Sequence, residues 1–453
     1  MKNILVIGAG RSASSLIKYL LDNSIKENWN VTVGDISLDL VKQKTANHPN
    51  SRAIVLDIHN DLQREEEIKR ADIVVSMLPA SMHLNVAKDC VRFKKHLATA
   101  SYVSKEMAEL DADAKAAGII LMNEIGLDPG IDHASAMKVI DNIHEQGGEL
   151  TSFKSYCGGL VAPEYNNNPW GYKFSWNPRN VILAGQGTAQ YIENGEYKYI
   201  PYNRLFTQID TIKMEGLGSF DAYANRDSLS YRKFYDIANI PTMMRGTLRM
   251  PGYCKAWNIF VKLGLTDDTY KIEASDKLTY RQLLEAYLPA GKQSTKEKLI
   301  AFMGAEIDAE ILNKIEWLGV FEDKKIPLVN ASPAEILQNL LERKWKLEEH
   351  DKDMIVMQHQ FEFITPNIGK HTSLLGKESG GRSIISSLVV KGEDQIYTAM
   401  AKTVGLPLAI TTKLILQGKI KARGVVIPTI KEIYEPLLSE LESFGIKFAE
   451  LDL

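Results

Sequence analysis

A glycine-rich segment near the start of the chain has the residue types and spacing of a phosphate-binding loop. It follows an apolar run at 4–7 and precedes an amphipathic stretch at 12–21, which predicts a strand, a tight turn and a helix in that order. The first glycine permits the turn, the second lets the backbone approach a pyrophosphate, and a small residue lets the helix pack on the strand. The helix N-terminus then faces the phosphates. We predict dinucleotide binding by Gly8, Gly10, Arg11, Ser12 and Ala13.

Two carboxylates follow later apolar runs. Asp35 lies 22 residues beyond Ala13, at the end of the second predicted strand, and is suited to accept hydrogen bonds from the adenosine ribose hydroxyls. The next residue, Ile36, can donate no hydrogen bond to a 2′-phosphate, and Asp35 would repel one. We therefore predict NAD as the preferred coenzyme, with NADP possible if Arg11 compensates. Asp57, after the third predicted strand, is a weaker candidate for the adenine pocket, and a helix cap is an equal alternative.

Further polar clusters could bind a substrate. The string 123–133 follows the sixth predicted strand, at the edge where doubly wound sheets bind ligands. The string 155–160 ends another strand-like run. Arg226 and Arg249 stand in stretches with few other charges, and arginine binds carboxylates in a bidentate manner, so we expect an acidic substrate. Ordinary surface ion pairs are the alternative interpretation of these arginines.

The elements that must position these residues are an α/β arrangement. Short apolar runs alternate with amphipathic stretches over the first ~125 residues, which is typical of βαβ units and of a Rossmann doubly wound parallel sheet. The rest predicts an α+β substrate and dimerisation domain with a helical insertion. Strands are expected at Ile4–Ile7, Val31–Val33, Ala53–Leu56, Ile73–Met77, His96–Thr99 and Ile119–Met122.

The predicted domain organisation has three parts. Residues 1–130 form the dinucleotide-binding domain, and residues 131–390 form the substrate and dimerisation region, with its helical insertion at about 255–350. Residues 391–453 supply C-terminal helices that return to the first domain. A helix over Tyr397–Gly418 is expected to break at Gly405-Leu406-Pro407, because proline cannot donate a backbone hydrogen bond.

Composition excludes several classes of protein. The chain has 453 residues, 45% of them hydrophobic and 25% charged, and its net charge is −3, so it offers no basic footprint for nucleic acid or an anionic membrane. Cys90, Cys157 and Cys254 form no C-x-x-C pair, which argues against a disulfide framework and a structural zinc site. No metal is expected. The start of the chain has no targeting pattern, so a cytoplasmic location is expected.

The clusters closely resemble saccharopine dehydrogenases of the L-glutamate-forming type, also called saccharopine reductases. The resemblance runs nearly end to end, and two strings, Met122–His133 and Ser155–Leu160, are highly specific to that family. It also includes Ala100-Ser101-Tyr102, Gly171–Trp176 and the helical stretch Ala399–Gly418.

The resemblance implies an NAD(P)-dependent oxidoreductase that reversibly oxidises saccharopine to L-glutamate and 2-aminoadipate 6-semialdehyde in lysine metabolism. Saccharopine carries three carboxylates, which fits the two arginines. The residues implied nearest the reacting centre are Tyr102, Asp128 and Cys157. The implied substrate site comprises Ser101, Tyr102, Asp128, Arg226, Thr247, Leu248 and Arg249. The implied coenzyme contacts, beyond the glycine loop, are Leu78, Ser101, Ile125, Leu127 and Ser175.

Two alternatives stay open at this point. A related amine dehydrogenase, such as carboxynorspermidine dehydrogenase, would keep the Rossmann half, but a polyamine substrate should favour acidic residues where this chain has Arg226 and Arg249. A non-catalytic dinucleotide-sensing protein would not need Tyr102, Asp128 and Cys157 together. The family also implies a homodimer with small-molecule ligands, and NADP-using relatives have an arginine just after the second strand, where this chain has Gly34-Asp35-Ile36.

Overall fold

The computed structural model describes residues 1–365, 371–372, 378–379 and 381–453. These residues form two compact units. The first unit comprises Met1–Leu150, Phe234–Ile237 and Phe361–Leu453, and the second comprises Thr151–Lys233 and Ala238–Gln360. The predicted domain limits at 130 and 390 stay a prediction, and part of the predicted middle region (366–370, 373–377 and 380) lies outside the described residues.

The first unit alternates strands and helices along most of its length. Its elements are β1 (Lys2–Ile7), α1 (Ser14–Asp22), β2 (Trp29–Asp35), α2 (Leu38–Thr45), β3 (Ser51–Val55), α3 (Asp61–Arg70), β4 (Ile73–Ser76), α4 (His83–Phe93), β5 (His96–Thr99), α5 (Lys105–Ala108), α6 (Asp111–Ala116), β6 (Ile120–Met122) and α7 (Ile131–Glu145). The C-terminal part adds β14 (His371–Thr372), β15 (Glu378–Ser379), β16 (Arg382–Lys391), α16 (Ala399–Leu416), β17 (Gly424–Val426), α17 (Lys431–Glu442) and β18 (Ala449–Asp452).

A seven-stranded parallel sheet organises this unit. Its strand order is β3-β2-β1-β4-β5-β6-β17, which is the doubly wound Rossmann order with one added strand. The central strands β1, β4, β5 and β6 are mostly buried and mostly apolar, as expected for a parallel sheet covered on both faces, whereas the edge strand β3 is not fully buried. All six predicted strands are confirmed. The seventh strand, β17, was not predicted, because three residues carry no readable period and only pairing with β6 makes them a strand.

The expected break in the C-terminal helix is wrong, because α16 runs without interruption through Pro407. Gly405 lets the helix approach α1, since a side-chain carbon at that position would lie 2.7 Å from the backbone nitrogen of Leu16. This packing stabilises a helix that proline alone would weaken. By length and composition α16 is apolar enough to cross a membrane, but 78% of it is buried within the protein, as in the core helix of a globular fold.

The second unit contains a mixed sheet and a helical insertion, as predicted. Its elements are β7 (Glu149–Val161), α8 (Pro178–Ile182), β8 (Ala189–Glu193), β9 (Glu196–Ile200), α9 (Tyr202–Leu205), β10 (Ile209–Met214), β11 (Gly218–Ala224), α10 (Tyr231–Phe234), β12 (Thr242–Arg249), α11 (Tyr253–Leu263), α12 (Tyr280–Ala286), α13 (Thr295–Met303), α14 (Ala309–Trp317), α15 (Pro333–Lys344) and β13 (Asp353–Ile364).

The sheet of the second unit has the order β10-β11-β12-β7-β13, and β8 joins β12 to β9. β12 is parallel to β7 and antiparallel to β11. A dense aromatic core packs beside it. Trp170 stacks on Phe260 and meets Tyr253, Trp257 and Trp345 edge to face. Such packing gives the sheet a rigid support.

Candidate active site

The glycine loop has the geometry that a dinucleotide requires. Gly8 has φ 98°, a conformation that favours glycine, and its N–H donates to Gly34 O at 2.8 Å. A side-chain carbon at Gly10 would meet no atom within 4 Å, so the backbone there is open to a ligand. A 3₁₀ turn at Arg11–Ala13 leads into α1, and no described side chain caps either start. No side-chain cap therefore competes with a phosphate at this helix start, and Ala13 N donates to Gly10 O at 3.1 Å within the turn.

Asp35 is fixed onto this loop. One carboxylate oxygen accepts a hydrogen bond from Ala9 N at 2.8 Å, and the other accepts from Ser37 N at 3.0 Å. Each oxygen keeps a lone pair for a ribose hydroxyl. The side chain of Ile36 is 77% exposed and provides no donor. The residues fit the adenosine end of a dinucleotide.

Sequence reasoning missed Lys44. Helix α2 carries this side chain back to the start of α1, where its Nζ donates to Ser14 Oγ. Burial lowers the pKa of Lys44 to about 8, although the nearby Asp35 carboxylate raises it. The signal was weak, since Lys42 and Lys44 both look like surface residues until α2 is docked.

The two weaker coenzyme candidates have ordinary surroundings in this structure. Asp57 is exposed, and its carboxylate accepts from His59 N at 2.9 Å, as a loop cap would. Leu78 follows β4 and packs, half-buried, on the apolar core of the first unit.

Ser101 lies after β5 and forms a hydrogen-bond chain with the buried His83 of α4. His83 Nδ1 is 2.8 Å from Ser76 Oγ, and His83 Nε2 is 2.7 Å from Ser101 Oγ. Burial lowers the pKa of His83 to about 4, so its ring is neutral at physiological pH. A neutral ring donates through one nitrogen and accepts through the other, and it therefore fixes the Ser101 hydroxyl.

Tyr102 and Asp128 are brought together in the first unit. The Tyr102 hydroxyl donates to Asp128 Oδ1 at 3.5 Å, and both side chains are partly exposed. Asp128 belongs to a tight loop in which Gly126 N donates to Pro129 O at 2.9 Å. The predicted coenzyme neighbours Ile125 and Leu127 flank Gly126 with buried side chains, so the loop backbone is the part that a ligand can reach.

A second group of predicted residues shares one face of the sheet in the second unit. Cys157 of β7 is in register with Thr247 of β12, and Thr247 is in register with Tyr223 of β11. Arg249, two residues after Thr247, lies on the same face. Cys157 is buried and forms no disulfide. Leu248 is fully buried on the opposite face, and Ser175 is buried beside the aromatic core.

Arg249 is the most unusual charge in the structure. The residue is 4% exposed, and three tyrosine rings surround its guanidinium, with the nearest centroid, that of Tyr253, at 5.3 Å. Its Nη2 donates to Tyr223 Oη at 3.3 Å, and its Nη1 donates to Leu248 O at 3.0 Å. Among the described residues, no carboxylate pairs with it and its Nε has no hydrogen-bond partner. A buried cation normally needs an anion, which this site does not itself supply.

Arg226 differs from Arg249. It is exposed, in a left-handed backbone conformation with φ 43°, and its carbonyl accepts from Gln190 N at 2.8 Å. The sequence treats the two arginines alike, but burial distinguishes them. The tyrosine cage of Tyr172, Tyr223 and Tyr253 also escaped sequence reasoning, because its members are distant in the chain.

Family models match almost the whole chain. Residues 4–122 match the saccharopine dehydrogenase NADP binding domain, and residues 126–446 match the saccharopine dehydrogenase C-terminal domain. The saccharopine dehydrogenases (NADP(+), L-glutamate-forming) of Pyricularia oryzae, Schizosaccharomyces pombe and Saccharomyces cerevisiae are 36%, 35% and 37% identical to this chain. Each alignment covers 99% of this chain and at least 98% of the relative.

These names bear on the coenzyme. They confirm a nicotinamide dinucleotide as the cofactor, and they favour NADP over the NAD that the sequence predicts.

Solved structures agree with the sequence relatives. Apo histidine-tagged saccharopine dehydrogenase (L-Glu forming) from Saccharomyces cerevisiae superposes with a TM-score of 0.86 at 36% identity, over 100% of both chains. A homospermidine synthase from Legionella pneumophila, solved with NAD, shares the fold with a TM-score of 0.56 at 8% identity. The chain thus belongs to the saccharopine dehydrogenase family.

Proposed function

We propose that this protein is an L-glutamate-forming saccharopine dehydrogenase, an oxidoreductase of lysine metabolism that acts on a CH–NH donor. The observation that carries the proposal is the buried Arg249 guanidinium, which has no described carboxylate partner. A substrate carboxylate would complete its hydrogen bonds. Full-length relatives that bear this activity in their names support the same conclusion.

The proposed reaction is an oxidation followed by a hydrolysis. The carbon beside the secondary amine would lose a hydride, for which a bound dinucleotide would be the acceptor, and the amine would lose its proton, which gives an imine. Water then adds to the imine carbon and the carbon–nitrogen bond breaks, which releases L-glutamate and 2-aminoadipate 6-semialdehyde. The bound coenzyme supplies the hydride acceptor. An imine is reactive, so the main task of the protein is alignment.

The described side chains divide this task. Arg249 would hold a carboxylate, and its tyrosine cage would keep the guanidinium in one orientation. The Tyr102–Asp128 pair would orient the amine or a water by accepting and donating hydrogen bonds. Ser101, fixed by His83, would present its hydroxyl to a ligand. The Cys157 thiol stays a predicted member of the site.

For the coenzyme, we propose that this chain departs from its named relatives and prefers NAD. Asp35 is tied to the glycine loop by Ala9 N, so its carboxylate cannot easily turn away from a 2′-phosphate. Ile36 offers no hydrogen bond in return. Lys44 is the nearby cation that would reduce the discrimination against NADP.

A homodimer in the cytoplasm is also part of the proposal. Tyr197 and Tyr199 of β9 expose 53% and 61% of their surface at a strand that pairs only on its β8 side within the described part of the chain. Exposed tyrosines of this kind suit a protein interface. Three buried cysteines that form no disulfide fit a reducing compartment. Light scattering after size-exclusion chromatography would test the dimer, and a monomer at micromolar concentration would contradict it.

A substrate panel tests the proposed function. Purified protein with either coenzyme is given saccharopine, carboxynorspermidine or no amine, and coenzyme reduction is followed by absorbance. We expect the coenzyme to be reduced when the amine is saccharopine and not in the other two reactions. Reduction with carboxynorspermidine instead would identify the related amine dehydrogenase, and coenzyme binding without turnover of any amine would favour a sensing role.

A further inference from the structure

Glu124 holds the backbone on both sides of Tyr102. Its own N–H donates to Ser101 O at 3.0 Å, and its Oε1 accepts from Val103 N at 3.0 Å. Tyr102 is therefore bracketed by two hydrogen bonds to one residue. The Tyr102 hydroxyl, at the far end of the side chain, donates to Asp128 Oδ1.

Two further buried side chains fix Glu124. His133 Nε2 lies 2.9 Å from Glu124 Oε2, and His133 Nδ1 lies 2.5 Å from the Tyr235 hydroxyl. Glu124, His133 and Tyr235 are 4%, 0% and 1% exposed. The Glu124 carboxylate can only accept, so His133 presents Nε2–H to it, while His133 Nδ1 faces the Tyr235 hydroxyl and lies 3.8 Å from Asp132 Oδ2. Hydrogen-bond chains of this kind in a buried setting specify a single geometry.

The backbone of Glu124 also needs such support. Its φ is 54°, in the left-handed region that a glutamate rarely adopts. Backbone conformations of this type persist when surrounding contacts determine them, and they are frequent at functional sites.

We propose that the Glu124–His133–Tyr235 chain is a positioning device that sets the direction of the Tyr102 side chain towards Asp128. None of the three needs to touch the substrate, since they act through the backbone at Ser101 and Val103. This inference rests on the proposed function only in giving Tyr102 a role in saccharopine turnover. The device itself is a property of the first unit.

Amide hydrogen exchange tests the device without any substrate. Tyr235→Phe removes the terminal hydroxyl and should speed exchange of the Val103 amide by about tenfold, because its acceptor becomes less fixed. Tyr434→Phe is the matched control, since Tyr434 is another buried tyrosine of the first unit and its hydroxyl donates to a different side chain, Asp141. Its Val103 exchange should be unchanged. Equal exchange at Val103 in wild type and Tyr235→Phe would overturn the proposal.

A double-mutant cycle links the device to turnover. With saccharopine, Tyr235→Phe should lower kcat/KM by about tenfold in the wild type but by less than about twofold in a Tyr102→Phe background. Coenzyme affinity should not change. The same fold decrease in kcat/KM in both backgrounds would mean that Tyr235 is merely structural.

Glu124→Gln, which keeps an acceptor for Val103 N, should retain more activity than Glu124→Ala. Absence of saccharopine turnover in the wild type would reject the proposed function while leaving the exchange result decisive for the device.

Discussion

Asp35 accepts a hydrogen bond from Ala9 N at 2.8 Å, so the carboxylate that ends β2 is attached to the loop that is suited to a pyrophosphate. This contact fixes a negative charge at the adenosine end of the coenzyme site. A carboxylate in this position would accept from a ribose hydroxyl and would repel a 2′-phosphate, which is the basis of the proposed preference for NAD.

Coenzyme preference should follow this charge. We expect wild-type kcat/KM to be higher with NAD than with NADP. Asp35→Ser combined with Ile36→Arg should change the ratio in favour of NADP by roughly 10- to 100-fold, since a repulsion is removed and a charged donor is added. Lys44→Met in the wild type should lower the residual use of NADP. A wild-type ratio that favours NADP would show that Asp35 does not control the choice.

Substrate affinity should depend on Arg249 more than on Arg226. Arg249→Ala should lower kcat/KM for saccharopine by an amount equivalent to a loss of roughly 2–5 kcal/mol in transition-state binding, because a desolvated substrate carboxylate would lose its partner. Arg226→Ala, at an exposed arginine, should cost only about 0–1 kcal/mol. Coenzyme dissociation constants, measured by fluorescence titration, should not change in either variant. Loss of coenzyme binding in Arg249→Ala would mean that the residue supports the fold instead.

Two histidines, the buried His83 and the half-buried His96, should make the protein sensitive to acid. Burial lowers the pKa of His83 and of His96 from 6.5 to about 4. Between these values the unfolded chain binds protons that the folded chain does not, so stability falls as the pH drops from about 6.5 to about 4. His83→Gln and His96→Gln should each reduce the dependence of the free energy of unfolding on pH, measured by urea unfolding.

Only His83→Gln should also lower activity, since His83 contacts Ser101 while His96 Nδ1 accepts from Ile120 N at the opposite end of the sheet. Equal activity in the two variants would remove His83 from the site.

Lys44 should affect stability in the same direction as the histidines but in an alkaline pH range. Its pKa is lowered from 10.5 to about 8 by burial, so below pH 8 the folded state holds a poorly solvated ammonium. As the pH rises from about 8 to about 10.5 this penalty disappears, and stability should rise relative to Lys44→Met. Parallel urea titrations of the two proteins would measure the difference. Parallel curves at all pH values would show that Lys44 is well solvated.

Local patterns were sufficient for the coenzyme half of the molecule. The strand, glycine turn and helix at 4–21 are contiguous in sequence. The strands of the parallel sheet can be recognised in the sequence as short apolar runs. The weak strand β17 and the unbroken helix through Pro407 could not be predicted, because tertiary contacts with β6 and with Leu16 decide them.

The candidate site was harder to predict for the same reason. Residue type suggested both Arg226 and Arg249, but only packing shows that Arg249 is buried among tyrosines. His83 and Lys44 look like ordinary helix residues in the sequence. Their contacts with Ser101 and Ser14 exist only after the helices dock on the sheet.

Product analysis is the most direct test of the central claim. Purified protein is incubated with saccharopine and coenzyme, and L-glutamate, 2-aminoadipate 6-semialdehyde and reduced coenzyme are quantified over time. We predict that the three products form in equal amounts and that Arg249→Ala slows all three together. Coenzyme reduction without L-glutamate, or no reduction with saccharopine in the presence of either coenzyme, would contradict the assignment.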